Sequence, residues 1–219
     1  MIKNRRQILC WMICSLMCIV AGCDKEDAPV EEVANQGSEY EYRPFVVEGK
    51  RWEVVSYRYD GLRYKSINYI SGDTVINNLQ CKKLYEQSLS PTEYTAYLGG
   101  LYENNKKVFA VSERGMKVLY DFNLNVGDKV FYGNNHVSIT DIDYVITDTG
   151  KRFRRIHVHV DWIDEFGIPD KPASGEFIWI EGVGSSYGPE LSYEIHNHAE
   201  VLNCYENDTC IFTYDDFFH

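Results

Sequence analysis

Arg155-Ile156-His157-Val158-His159-Val160-Asp161-Trp162 is the stretch from which the fold is most directly read. Side chains of an extended strand alternate between its two faces. Ile156, Val158, Val160 and Trp162 therefore point one way, and Arg155, His157, His159 and Asp161 point the other. One face belongs to a core, and the other meets water or a cavity. Working outward, similar short runs rich in Val, Ile, Tyr and Phe recur on both sides. They read as strands at 52–58, 64–70, 79–86, 94–102, 107–112, 117–122, 129–132, 137–147, 153–162, 176–180, 201–205 and 210–214. Between them lie Asp60-Gly61, Gly72-Asp73, Asn77-Asn78, Asn104-Asn105, Arg114-Gly115, Gly127-Asp128, Thr149-Gly150 and Asn207-Asp208. Residues of these types tolerate the positive φ of tight hairpin turns. No stretch sustains a 3.6-residue apolar period. Without helical crossovers, neighbouring strands must run antiparallel. The expected fold is all-β, an antiparallel meander of hairpins forming a barrel, half-barrel or sandwich.

The first 22 residues have another texture. Lys3, Arg5 and Arg6 precede an apolar or small run, Ile8–Val20, which is shorter than the about 20 residues a membrane-spanning helix needs. Ala21-Gly22 then precede Cys23. This is the layout of a signal peptide. Val20-Ala21-Gly22-Cys23 resembles the bacterial lipobox, which implies lipidation of Cys23 and cleavage before it. Asp24-Lys25-Glu26-Asp27 resembles the acidic signal that sends lipoproteins of the Bacteroidetes to the cell surface. Residues 23–44 are rich in acids and poor in large aliphatics, so they bury too little apolar surface to offset their ordering entropy. The expected organisation is a signal peptide at 1–22, a lipidated Cys with a flexible acidic tether at 23–44, and one β-rich domain at 45–219.

The 219 residues suffice for one such domain, with 44% hydrophobic and 25% charged residues. The formal charge is −11, and losing Lys3, Arg5 and Arg6 with the signal takes it to −14. Phosphate backbones would be repelled, which excludes nucleic acid as a partner. The sign favours, at most, a cationic ligand or ion.

The whole mature chain resembles the uncharacterised β-rich lipoproteins of gut Bacteroidetes. The lipobox and its acidic follow-up carry the likeness. So do Ser71–Asn77, Lys83-Leu84-Tyr85, Asn125-Val126-Gly127-Asp128 and the run Trp179-Ile180-Glu181-Gly182-Val183-Gly184-Ser185. The resemblance implies a β-rich domain at the outer membrane, exposed at the cell surface. It implies no activity.

Cys10, Cys14 and Cys18 leave with the signal, and Cys23 takes lipid. Cys204 and Cys210 flank a hairpin turn, where facing residues come within bridging distance. In an oxidising compartment a Cys204–Cys210 disulfide is expected, with Cys81 a buried hydrophobe. His157, His159 and Asp161 share a strand face, and His196 and His198 form a second His-x-His pair; together they are candidate zinc ligands. No other cofactor is read. Asp161, Asp164, Glu165, Glu176 and Glu181 surround Trp162 and Trp179, the residue types of a sugar site, so both tryptophans are candidate glycan contacts. Gly184-Ser185-Ser186-Tyr187-Gly188 matches the G-x-S-x-G pattern but lacks the following helix that a nucleophilic serine needs. Asp73-Thr74-Val75 resembles the Bacteroidetes O-glycosylation acceptor, placing sugar on Thr74 in an exposed turn.

The expected function is a cell-envelope lipoprotein whose non-catalytic β-domain binds a glycan, a small molecule or an outer-membrane protein. A glycan or ester hydrolase is one alternative, and a structural part of an envelope assembly is another. A pocket of converging His and carboxylates favours the hydrolase, and a shallow aromatic strip favours the binding module.

Overall fold

The computed structural model describes residues 40–57, 61–89, 93–132, 135–162, 173–189 and 198–218. The signal segment, Cys23 and the tether up to residue 39 lie outside them. Among these residues thirteen strands form two antiparallel sheets. The first sheet has eight strands: β1 Lys50–Tyr57, β2 Arg63–Ile76, β3 Leu79–Ser88, β4 Tyr94–Asn104, β5 Lys107–Ser112, β6 Gly115–Asp121, β12 His198–Glu206 and β13 Thr209–Thr213, in the order β13-β12-β1-β2-β3-β4-β5-β6. The second has five: β7 Lys129–Tyr132, β8 Asn135–Ile146, β9 Arg152–Trp162, β10 Ala173–Ile180 and β11 Gly184–Ser185, in the order β11-β10-β9-β8-β7. A 3-10 turn at Asp215–Phe217 follows β13. The expected all-β meander is present, in its two-sheet form. Among the described ladders only β1–β12 joins strands that do not follow one another in the chain.

Local chemistry sets the hairpins. Asn77-Asn78, Asn105-Lys106 and Asn207-Asp208 all have positive φ at both residues, which matches the right-handed strand twist. The turn expected at Gly72-Asp73 is instead a bulge within the 14-residue β2. The register shifts between Ile70 and Asp73, and the Gly72 N–H donates to the Glu48 carboxylate. Thr74 therefore lies in a strand, half-buried opposite Cys81, and not in an exposed turn as expected.

The alternation in β9 holds. Ile156, Val158 and Val160 are fully buried, while Arg155, His157 and His159 reach the other face. They join one core that draws on both sheets. At its centre Phe45 lies 5.2 Å from both Trp52 and Tyr120, and Trp179 meets Tyr120 edge to face at 5.4 Å. Trp179 is fully buried, so it is a core residue and not the expected glycan contact. The side chain of Trp162 lies outside what is described.

The segment after β10 ties the sheets together. The Trp52 indole donates to Val183 O (2.8 Å), and Ser185 N donates to the Tyr120 hydroxyl (3.0 Å). Val201 N donates to Ser186 O (2.9 Å). Gly184 must lack a side chain, because a Cβ there would stand 2.9 Å from the Phe45 ring and 3.0 Å from the Tyr120 oxygen. This buried junction closes in a β-bridge between Ser185 and Gly188 and holds Ser185 in the interior. The G-x-S-x-G match is thus a packing device.

The chain ahead of β1 is also part of the domain. Tyr40 donates its hydroxyl to Glu181, Tyr42 donates to Glu103, and Val46 N donates to the second Glu103 oxygen (2.8 Å). The spacer expected to run to residue 44 thus already binds the domain from Tyr40. Two phenols with carboxylate partners, ahead of the buried Phe45, outweigh the acidic composition that suggested a free tether.

The expected Cys204–Cys210 disulfide is absent, and both thiols are free. Cys204 pairs across the ladder with Phe212, whereas Cys210 pairs with Tyr205. A bulge between them turns Ile211 and Phe212 both inward, toward the fully buried Cys204, and leaves Cys210 on the opposite face. Burial pushes the Cys204 thiol up to about 12. Cys81 is buried, and burial raises its thiol as well.

Candidate functional site

The outer face of the eight-stranded sheet carries an aromatic row that crosses five strands. The registers align Tyr205 (β12) with Arg51 (β1), Arg51 with Tyr69 (β2), Tyr69 with Tyr85 (β3), and Tyr85 with Tyr97 (β4). Their neighbours Trp52, Asn68, Ile70, Leu84 and Cys204 are buried, so alternation puts the row outside. The Arg51 guanidinium lies 3.9 Å from the centre of the Tyr205 ring. Tyr69 and Tyr85 stack at 5.3 Å with 17° between their planes, and Tyr85 and Tyr97 follow at 5.5 Å and 54°. Tyr97 ends the row half exposed.

A second row, polar except for Ile67, runs beside it, two residues along each strand. Asn203 aligns with Glu53, Glu53 with Ile67, Ile67 with Gln87, and Gln87 with Thr95. Asn203 Nδ2 donates to Glu53 Oε2 (2.8 Å), while Arg51 Nη1 stands 3.5 Å from Glu53 Oε1. Cross-strand aromatic pairs stabilise a sheet by only ~0.2–1 kcal/mol each. The ladder contributes on that scale, but its rings also remain accessible, next to amide, carboxylate and hydroxyl groups spaced by the same strands.

On the outer face of the second sheet, both ring nitrogens of His159 are engaged. Nδ1 lies 2.5 Å from Glu176 Oε1, and Nε2 lies 3.2 Å from Asp161 Oδ1. The Glu176 carboxylate, helped by Asp161, holds the imidazole above its ordinary range against the pull of burial. His157 Nε2 stands 3.5 Å from Asp143 Oδ1 without a hydrogen bond. Asp143 is instead gripped by Arg155, Nε to Oδ1 and Nη2 to Oδ2, both at 2.7 Å, which lowers its carboxyl.

His157, His159, Asp161 and Glu176 thus share one face, as alternation requires. His196 and the side chain of His198 lie outside what is described, as do Asp164 and Glu165. Among the described residues no three His, Cys, Asp or Glu side chains are disposed to hold a metal. Glu181 stands apart from Glu176. It is buried beneath Tyr40, and burial raises its carboxyl against the Tyr40 hydrogen bond. The two therefore do not form the paired carboxylates of a glycosidase.

The tyrosine row was not read from the sequence. Each of its tyrosines sits in an expected strand, whereas Arg51 lies one residue ahead of the strand expected at 52–58. Their alignment depends on four registers, three of them interrupted by bulges. No protein family matches the chain, and no curated protein or solved structure matches it.

Proposed function

We propose that the chain is a lipoprotein of the cell envelope, anchored in the outer membrane through lipid on Cys23 and facing the cell surface, and that its β-domain binds a glycan without transforming it. The observation that supports this reading is the tyrosine row with its polar neighbour. Aromatic surfaces take the apolar faces of sugar rings, and planar amide and carboxylate groups beside them exchange hydrogen bonds with hydroxyls. The row is shallow and open, which suits an extended chain more than a single small molecule. Ser185 is committed to the core, and the raised carboxyl of Glu181 is sealed under Tyr40. Neither therefore serves a hydrolase at this surface.

A glycan-array screen of the full chain tests the proposal. The same glycans are then titrated against Tyr97→Ala and the double variant Tyr85→Ala/Tyr97→Ala. Loss of one aromatic contact is expected to weaken binding about tenfold, on a scale of ~0.5–1.5 kcal/mol beyond area. Unchanged affinity in the double variant, or no glycan bound at all, refutes the assignment. The anchor is tested separately. Cys23→Ala should move the protein from the membrane to the soluble fraction.

A further inference from the structure

A concavity on the outer face of the five-stranded sheet is distinct from the tyrosine row. Thr140, His157 and Ile178 border it on the sheet side, and Tyr187, Glu200 and Tyr214 border it from other segments. It encloses about 350 Å³, the size of a small-ligand site. Two aromatic pairs line it. Phe177 and Tyr187 meet edge to face at 5.1 Å, and Tyr214 and Phe218 stand 5.1 Å apart at 56°.

Its charge is one-sided. Among the described residues no Lys or Arg lines it, whereas Glu176 and Glu200 do. Glu176 is shared with His159. Among the described residues Glu200 is met by a neutral donor, the Tyr57 hydroxyl at 2.8 Å, and by no cation within ion-pair distance. Burial raises the Tyr214 phenol, and the negative field of Glu200 adds to it, with Tyr187 and Asp215 contributing. A carboxylate beside π-faces, in a recess whose described lining carries no Lys or Arg, attracts positive charge and repels anions.

We infer that this pocket takes an organic cation: an amine, free or methylated, carried on a small apolar body. The ring faces hold the methyl or methylene groups, and Glu200, oriented by Tyr57, faces the nitrogen. Glu176 adds a weaker attraction because His159 already answers it.

Isothermal titration of the full chain with choline, with butylamine, and with the neutral carbon isostere of choline tests the assignment. At least one amine is expected to bind, and the uncharged isostere is not. Glu200→Gln is expected to weaken the amine about tenfold, the scale of a partly desolvated charge contact. Tyr57→Phe leaves the carboxylate but removes its orienting hydroxyl, and a smaller loss is expected there. If Glu200→Gln does not fold, Tyr57→Phe decides. Equal binding of choline and its isostere overturns the inference. So does amine affinity unchanged in the folded variants, or absence of amine binding up to millimolar concentration.

Discussion

Lys50→Met should be among the most damaging single substitutions of comparable volume in this protein. The Lys50 side chain is fully buried, and its ammonium meets three acceptors: Pro44 O at 2.6 Å, Gly182 O at 2.7 Å and Glu206 Oε1 at 2.9 Å. Three protons find three partners. They join the segment leading into β1, the junction after β10 and the end of β12. Methionine replaces the stem but none of the donors. Glu206 is 26% exposed and regains some water, whereas the bond to Gly182 O is buried. A buried acceptor left bare costs about 1–3 kcal/mol, and breaking a buried pair from one side costs about 3–5 kcal/mol. The expected loss is therefore about 3–5 kcal/mol, a fall in Tm of roughly 6–20 °C for a domain of this size. Urea unfolding, followed by fluorescence of the buried Trp52 and Trp179, measures it. The double variant Lys50→Met/Glu206→Leu removes the whole ion pair but not the two carbonyls, so it should stay destabilised. A loss under about 1 kcal/mol in the single variant would refute the reasoning. Full recovery in the double variant would show that the carbonyls contribute nothing.

Three further outcomes follow from the geometry. Gly100→Ala should destabilise the β3–β4 pairing by ~1–3 kcal/mol, because a Cβ there would stand 2.8 Å from Ile76 Cδ1 and 2.9 Å from Cys81 Cβ; an unchanged urea midpoint would show that the neighbours yield freely. Since Cys204 and Cys210 are free on opposite faces of β12–β13, a thiol reductant should leave Tm unchanged, and a fall on reduction would show that they are bridged. His159 is held above its ordinary range by Glu176, so its contribution to stability is complete below the unfolded value of about 6.5 and fades as pH rises through the higher folded value. His159→Gln should flatten the decline of the urea midpoint from pH ~6 upward, whereas an identical slope in both proteins would remove His159 as its source.

Alternation made β9 legible. Its buried and exposed residues separate by parity, and parity is a property of neighbours in the chain. The same holds for the turns at Asn77-Asn78 and Asn207-Asp208, where residue type and backbone twist agree. Misreadings cluster at bulges. A single extra residue at Gly72 moved Thr74 into a strand, and another at Ile211 separated Cys204 from Cys210. A bulge is a tertiary compromise with little local signature. Trp179 read as a sugar platform because an aromatic among acids has the same composition in a core as on a surface.

The sequence by itself determined an antiparallel β-domain, most of its strands and which side chains share a face within each strand. These follow from steric rules acting over a few residues. Only the tertiary structure decided what stands beside what. Trp52 pairs with Cys204 across almost the whole domain, and Tyr205, Arg51, Tyr69, Tyr85 and Tyr97 form one row because four registers agree. Register is chosen by the burial of a complete face, and a slip of one residue would turn every member of the row to the other side. The candidate site is therefore written in the sequence as residue types and placed by the packing of strands that lie far apart along it.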